Sequence, residues 1–301
     1  ATFGPQTNHG VGMFPRSVKV ADLNADGKLD LITANRNSGD VSVRLGNGDG
    51  TFGAHLRFTI GSDPHDVAVG DFNGDGKKDL AVACFSAPPL FIVLGNGDGT
   101  FGTARSFASG TDLFSSVAVS DFNADGKQDL AIIKFFSNEV GIMLGNGDGT
   151  FPFPTFYSAG NFSIWVDVGD FNSDDKPDVA VANLTSDNVS VLFGNGNGTF
   201  APRNNYQAGD NPEHVLVADF NGDGRPDIVV SNPEPEGGNV DDIVLLLNNG
   251  DGIFPARGLR LSVGRNPFAA AAADFNGDGR LDIVSVDTDS KTFTVLLNRG
   301  P

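Results

Sequence analysis

Asp71-Phe72-Asn73-Gly74-Asp75-Gly76-Lys77-Lys78-Asp79 is the stretch whose reading decides the fold. Versions of it start at Asp22, Asp71, Asp121, Asp170, Asp219 and Asp274, at spacings of 49, 50, 49, 49 and 55 residues. A period near fifty signals a repeat architecture. In every copy oxygen-bearing side chains stand at positions 1, 3, 5 and 9, and in five copies position 6 is Gly. Glycine allows the sharp turn, and several oxygens converging from one short loop suit a hard cation.

Outward from the loop, the repeat from Gly61 to Ser109 reads as short strands joined by turns. Asp66–Gly70 alternates, Leu80–Cys84 is a buried run, and Phe91–Leu94 is a third strand. Gly95-Asn96-Gly97-Asp98-Gly99 is a hairpin turn, since Asn-Gly and Asp-Gly tolerate positive φ, and a fourth strand is expected from Thr100-Phe101. Four strands without helical periodicity make a propeller blade. The expectation is therefore an all-β, six-bladed β-propeller forming one domain over 1–301. Its blades fall at 11–60, 61–109, 110–159, 160–208, 209–263 and 264–301, the last completed by 1–10. The final repeat stops before its fourth strand, and Ala1-Thr2-Phe3-Gly4 matches the missing piece, so the N-terminal strand is expected to close the ring. A linear array would instead need polar caps.

Phenylalanine follows the same period. Phe3, Phe52, Phe101, Phe151, Phe200 and Phe254 recur at one position, and Phe72, Phe122, Phe171, Phe220 and Phe275, with Leu23, at another. These side chains are the natural material for packing blade on blade.

The net charge of -18 equals the carboxylates at positions 1, 5 and 9 of the six loops; the other 20 acidic residues balance the 20 Lys and Arg. The acidity is thus a property of the loops, and nucleic acid is excluded as a partner because no basic patch would meet its phosphates. Cys84, the only cysteine, sits in an apolar run and reads as an inert buried thiol. No apolar run approaches the ~18 residues of a membrane helix, so no membrane insertion is expected. The chain starts abruptly inside a repeat, which reads as a processed or trimmed protein.

The loops read as Ca²⁺ sites, about six, one per blade. The side chains at positions 1, 3, 5 and 9 and the backbone carbonyl at position 7 supply the oxygens. In chain order the sets are Asp22, Asn24, Asp26, Lys28 and Asp30; Asp71, Asn73, Asp75, Lys77 and Asp79; Asp121, Asn123, Asp125, Lys127 and Asp129. They continue with Asp170, Asn172, Asp174, Lys176 and Asp178; Asp219, Asn221, Asp223, Arg225 and Asp227; Asp274, Asn276, Asp278, Arg280 and Asp282. Ligands that are all oxygen argue against zinc, and Mg²⁺ demands a stricter octahedron. An EF-hand is excluded because position 9 leads into a strand. The fourth loop departs, with Asp175 in place of Gly at position 6.

The Asp-x-Asn-x-Asp-Gly-x-x-Asp loops, the Thr-Phe-Gly segments and the blade period resemble the FG-GAP/VCBS repeat family, which includes the integrin α-chain propeller and some fungal and bacterial lectins. The resemblance covers essentially the whole chain. It implies structural Ca²⁺ in the loops between the first and second strands of each blade.

Strand alternation puts the acidic loops and the Gly-Asn-Gly-Asp-Gly turns at one end of the blades. The entry loops and the loops between second and third strands lie at the other. There, six and five residues before each first Asp, the repeats disagree: Arg16-Ser17, His65-Asp66, Ser115-Ser116, Ile164-Trp165, Glu213-His214 and Phe268-Ala269. Arg16, His65, Asp66, Trp165, Glu213 and His214 are the candidate ligand residues, since loops on a rigid scaffold carry function. Neighbouring strand residues point to opposite faces, so neither His65-Asp66 nor Glu213-His214 forms a catalytic dyad. The expected function is a non-catalytic, calcium-binding recognition or adhesion module, monomeric, secreted or on a bacterial cell surface. It would bind a protein or glycan at the face opposite the acidic loops. A calcium-stabilised lectin using Trp165 is the alternative, and a polysaccharide lyase the third reading.

Overall fold

The computed structural model describes residues 8–61, 63–107, 112–233 and 242–300. Every regular element in them is a strand, and no helix is long and apolar enough to cross a membrane. The first sheet is β1 (Pro15–Ala21), β2 (Asp30–Asn35), β3 (Asp40–Arg44) and β4 (Leu56–Thr59). The second is β5 (Pro64–Gly70), β6 (Asp79–Cys84), β7 (Leu90–Val93) and β8 (Arg105–Phe107). The third is β9 (Phe114–Ser120), β10 (Asp129–Lys134), β11 (Glu139–Met143) and β12 (Thr155–Ser158). The fourth is β13 (Ser163–Gly169), β14 (Asp178–Asn183), β15 (Asn188–Leu192) and β16 (Asn204–Gln207). The fifth is β17 (His214–Ala218), β18 (Asp227–Asn232), β19 (Asp242–Leu246) and β20 (Leu259–Ser262), and the sixth β21 (Pro267–Ala273), β22 (Asp282–Asp287) and β23 (Thr292–Leu296).

Each sheet is an antiparallel meander in chain order, five of four strands and the sixth of three. These are the six blades of a β-propeller. The strand expected to complete the sixth blade, and with it the closure of the ring, falls on residues outside those described. The chain divides into two compact units, one reaching to Phe136 and including Gly141–Phe156, the other made of Ser137–Val140 and Tyr157 onward.

The second strands are the buried axis of each blade: β6, β14 and β18 are buried at every residue. Their near-continuous apolar runs suit strands covered on both faces. Between neighbouring blades the recurring rings interlock as expected. Phe72 meets Phe151 edge-on at 5.6 Å, and Phe171 meets Phe254 at 5.6 Å in the same way. The outer strands add Phe58 on Phe101, Phe107 on Phe151 and Tyr206 on Phe254, again edge-on. Cys84 is fully buried, and burial, with Asp63 nearby, pushes its thiol up to about 12.

One boundary differs from the sequence reading. Thr100-Phe101 does not open the fourth strand; Phe101 forms an isolated bridge to Gly95, and β8 begins only at Arg105. The reason is the width of the turn. The Gly102 N–H still bonds back to Leu94 at 2.8 Å, so the ladder must close the turn before the outer strand can start.

Gly95 itself is required by close approach. A Cβ there would lie 2.1 Å from the Lys78 carbonyl oxygen. Gly95→Ala is expected to cost about 2 kcal/mol or more, in the range of forced backbone shifts. Urea denaturation checks this, and a change below about 0.5 kcal/mol would show that the turn gives way freely.

Candidate functional site

The six acidic loops share one internal hydrogen-bond pattern. The position 1 carboxylate accepts the position 6 N–H at 2.7–2.8 Å in all of them. The position 3 amide oxygen accepts the position 5 N–H, and the position 5 carboxylate the position 7 N–H. Asp175 takes the left-handed conformation of the glycines it replaces, with φ 61°, and makes the same bond to Asp170.

Position 9 does something the pattern did not announce. Asp30, Asp79, Asp129, Asp178, Asp227 and Asp282 are fully buried. In each, one carboxylate oxygen accepts the N–H of position 2 and the other the N–H at the end of the third strand. For Asp129 these come from Phe122 at 2.9 Å and Gly145 at 2.7 Å. The side chain is thus a tie between the loop and the neighbouring turn. Burial, and after the two N–H bonds the nearby acidic side chains, push Asp129 up to about 6 and Asp178 up to about 7.

Position 7 supplies a cation of its own. Lys28, Lys77, Lys127, Lys176, Arg225 and Arg280 pair with the position 5 carboxylates at 2.5–3.5 Å. Asp26, Asp75 and Asp125 are held below the usual carboxylate range, first by the position 7 N–H that each accepts. The lysine stems pack over the turns: a Cβ on Gly97 would touch Lys77 at 3.0 Å. Among the described residues no three His, Cys, Asp or Glu side chains are placed to hold an ion by themselves. A cation here would depend on amide and carbonyl oxygens as well as carboxylates.

In the fifth and sixth blades Asn248 and Asn298 stand where the earlier blades have Gly46 and Gly95. Asn248 Nδ2 donates to the Phe171 carbonyl at 2.8 Å, and Asn298 Nδ2 to the Phe220 carbonyl at 2.6 Å. Each fastens its blade to the loop of the one before. The signal in the sequence is the Asn that breaks the Gly column of the other repeats.

At the opposite end, the candidate ligand residues meet one another. Asp66 is fully buried and accepts the hydroxyls of Ser17 at 2.7 Å and Ser116 at 2.9 Å. It therefore links the first three blades at one shared position. Trp165 is 6% exposed and lies 4.6 Å from the His214 ring, which stands at that same position in the next blade. His65 is 1% exposed, with Nδ1 2.7 Å from the Ser115 carbonyl and Nε2 3.2 Å from Arg16. A carbonyl only accepts and a guanidinium only donates, so the ring is neutral with its proton on Nδ1. Burial first, then the Arg16 charge, lower His65 to about 4. Within one unit Arg16 bonds His65, and within the other Trp165 meets His214, each between neighbouring blades. Glu213 donates its backbone N–H to the Ser231 carbonyl at 3.0 Å.

A concave surface lies elsewhere. Tyr157, Ser158, Leu192, Phe200, Pro202, Arg203 and Asn205 line a groove of about 460 Å³ between the outer strands β12 and β16. Tyr157 meets Phe200 edge-on at 5.3 Å, Arg203 donates to Ser158 at 2.6 Å, and the Asn205 side-chain oxygen accepts from Ser190.

A family model described as an FG-GAP-like repeat matches residues 22–82, 121–181, 170–230 and 236–285. No curated protein matches the chain. Among solved structures, one similar to it is an Agrocybe aegerita lectin described as recognising non-reducing terminal N-acetylglucosamine. It is 21% identical with a TM-score of 0.58, over 94% of this chain and 80% of that one. BBS1N in complex with ARL6DN is 13% identical with a TM-score of 0.63, over 97% and 84% of the two chains. A Lactobacillus plantarum protein is 14% identical with a TM-score of 0.61, over 94% and 84%. At these identities the likeness is one of fold.

Proposed function

The chain belongs to the FG-GAP-like repeat family, and on that premise we propose that it is a non-catalytic recognition or adhesion module whose acidic loops take up Ca²⁺. The contrast between the two ends of the blades carries the reading. The loop bonds recur in all six blades, as a scaffold requires, whereas the opposite end changes from blade to blade. In each loop the position 1 and 5 carboxylates, the position 3 amide oxygen and the position 7 carbonyl would hold the ion. The position 9 carboxylate braces the loop beneath them. The Lys or Arg at position 7 would release its carboxylate as Ca²⁺ arrives. A secreted or cell-surface setting suits such open loops, because extracellular Ca²⁺ fills even weak sites.

Ca²⁺ that binds only the folded chain stabilises it by about 2.7 kcal/mol per site at a hundredfold excess over Kd. Chelation is therefore expected to lower the melting temperature markedly, with Mg²⁺ restoring little. A melt unchanged by chelator would remove the metal from the proposal.

The groove beside Tyr157 supports a second reading, a glycan-binding module. Its aromatic wall, the Arg203 guanidinium and the Asn205 amide are groups that grip a sugar ring and its hydroxyls. A glycan array repeated with Tyr157→Ala tests it. Hits that survive the substitution, or no hits at all, would close this reading.

A further inference from the structure

The two segments that build the groove beside Tyr157 are almost without charge. Residues 149–166, which run through β12, and 188–209, which run from β15 through β16, hold a single charged side chain, Arg203, in a chain that is 19% charged. The acidic residues that bound these segments are engaged elsewhere. Asp148 accepts the Thr150 N–H, Asp167 the Val217 N–H and Asp187 the Asn211 N–H, while Asp210 acts on Asp242.

The turn that adjoins the groove has lost its charge as well. Its Gly198 carbonyl accepts the Tyr157 hydroxyl at 3.3 Å. Asp49, Asp98, Asp148 and Asp251 occupy one position of these turns, and the fourth blade has Asn197 there. Asn197 still accepts the Thr199 N–H and hydroxyl, as Asp98 does for Thr100. The turn therefore keeps its bonds without the carboxylate, and only the charge differs. On the acidic loop behind it, Lys176 lies against Gly196 of the turn and pairs with Asp174 at 3.0 Å.

What the groove presents is a set of donors. Arg203 is exposed and forms no ion pair among the described residues. Its Nη1 donates to Ser158 Oγ at 2.6 Å. That leaves Nε and Nη2, the side-by-side N–H groups that meet both oxygens of a carboxylate. The Asn205 amide is oriented by a buried relay: Asn183 Nδ2 donates to Ser190 Oγ at 2.9 Å, and the Ser190 hydroxyl donates to Asn205 Oδ1 at 2.8 Å. With its oxygen engaged, Asn205 has its NH₂ left for a ligand. Charge-assisted bonds are roughly twice as strong as neutral ones, so an acidic sugar would be held over its neutral counterpart.

We propose that this groove takes a hexuronic acid residue of an acidic polysaccharide, its carboxylate on Arg203 Nε and Nη2 and a ring hydroxyl on the Asn205 NH₂. The inference rests on the glycan reading above and names its substrate class. The test is calorimetric titration of the Ca²⁺-loaded protein with trimers of galacturonate, glucuronate, mannuronate and guluronate. Their methyl esters, which keep the ring and lose the charge, are titrated beside them. Arg203 is exposed, so Arg203→Gln is expected to melt as the wild type does. A trimer is expected to bind the wild type about tenfold more tightly than its ester, and Arg203→Gln to bind the two alike. Acid and ester bound equally by the wild type would overturn the carboxylate. Acid binding unchanged by Arg203→Gln would put the carboxylate elsewhere, the Ca²⁺ loops included, and overturn it too. Sulfated trisaccharides held as tightly through Arg203 would make this a general anion site and overturn the uronate. No trimer bound, with Tyr157-dependent hits on neutral glycans, would overturn this inference and leave the glycan reading standing. No trimer bound and no glycan hits would remove both.

Discussion

Asp129→Asn is expected to destabilise the protein by about 2–4 kcal/mol, the range for breaking a buried charge-assisted hydrogen-bond pair. The fully buried carboxylate accepts the Phe122 N–H on one oxygen and the Gly145 N–H on the other. An amide keeps one acceptor and turns an NH₂ toward the second donor. Some of the loss returns, because Asp121 and Asp125 no longer face a third negative charge. Urea denaturation at neutral pH is the measurement. A change below about 1 kcal/mol would mean that the loop and the turn are held by something other than this side chain.

His65 should make acid destabilising. Its folded-state value of about 4 lies below the ordinary 6.5, because burial and Arg16 oppose a second proton. Below pH 6.5 the unfolded chain binds a proton that the folded chain refuses. Stability therefore falls as pH drops from 6.5 to about 4 and is flat beneath. The difference corresponds to about 3 kcal/mol. Asp129 and Asp178, raised to about 6 and about 7, work in the opposite sense: they favour the folded state as they gain protons. The comparison must therefore be with His65→Gln, in which those carboxyls remain. Between pH 7 and pH 4 the advantage of wild type over variant is expected to shrink by about 3 kcal/mol. Parallel profiles for the two proteins would place the proton elsewhere.

The repeat, the blade and the loop were legible because each is local. A nine-residue acidic pattern and a turn of Gly and Asn determine backbone shape within a few residues, and six copies remove the ambiguity of one. What was not legible depends on which residue stands across the gap. Asp66 reads in sequence as a candidate ligand group, and its bonds to Ser17 and Ser116, some fifty residues away on either side, cannot be read there. Trp165 and His214 are the same case. Comparing the positions blade by blade shows that they differ, and only their adjacency explains the differences. The inward turn of the position 9 aspartates was hidden for another reason: ion-binding and N–H-accepting carboxylates occupy the same place in the pattern.

The edge-on rings between blades run in one direction along the chain: Phe72 waits for Phe151, and Phe171 for Phe254. Each blade offers its ring to a partner that leaves the ribosome later. Phe151 follows Phe72 by 79 residues and Phe254 follows Phe171 by 83, so with synthesis at about 5–20 residues per second that wait lasts about 4–16 seconds. During it the newest blade has an uncovered apolar flank. The position 9 tie joins groups no more than 21 residues apart, so it can form while the flank is still bare. Each blade thus has a way to hold its own shape during biosynthesis before its neighbour covers it.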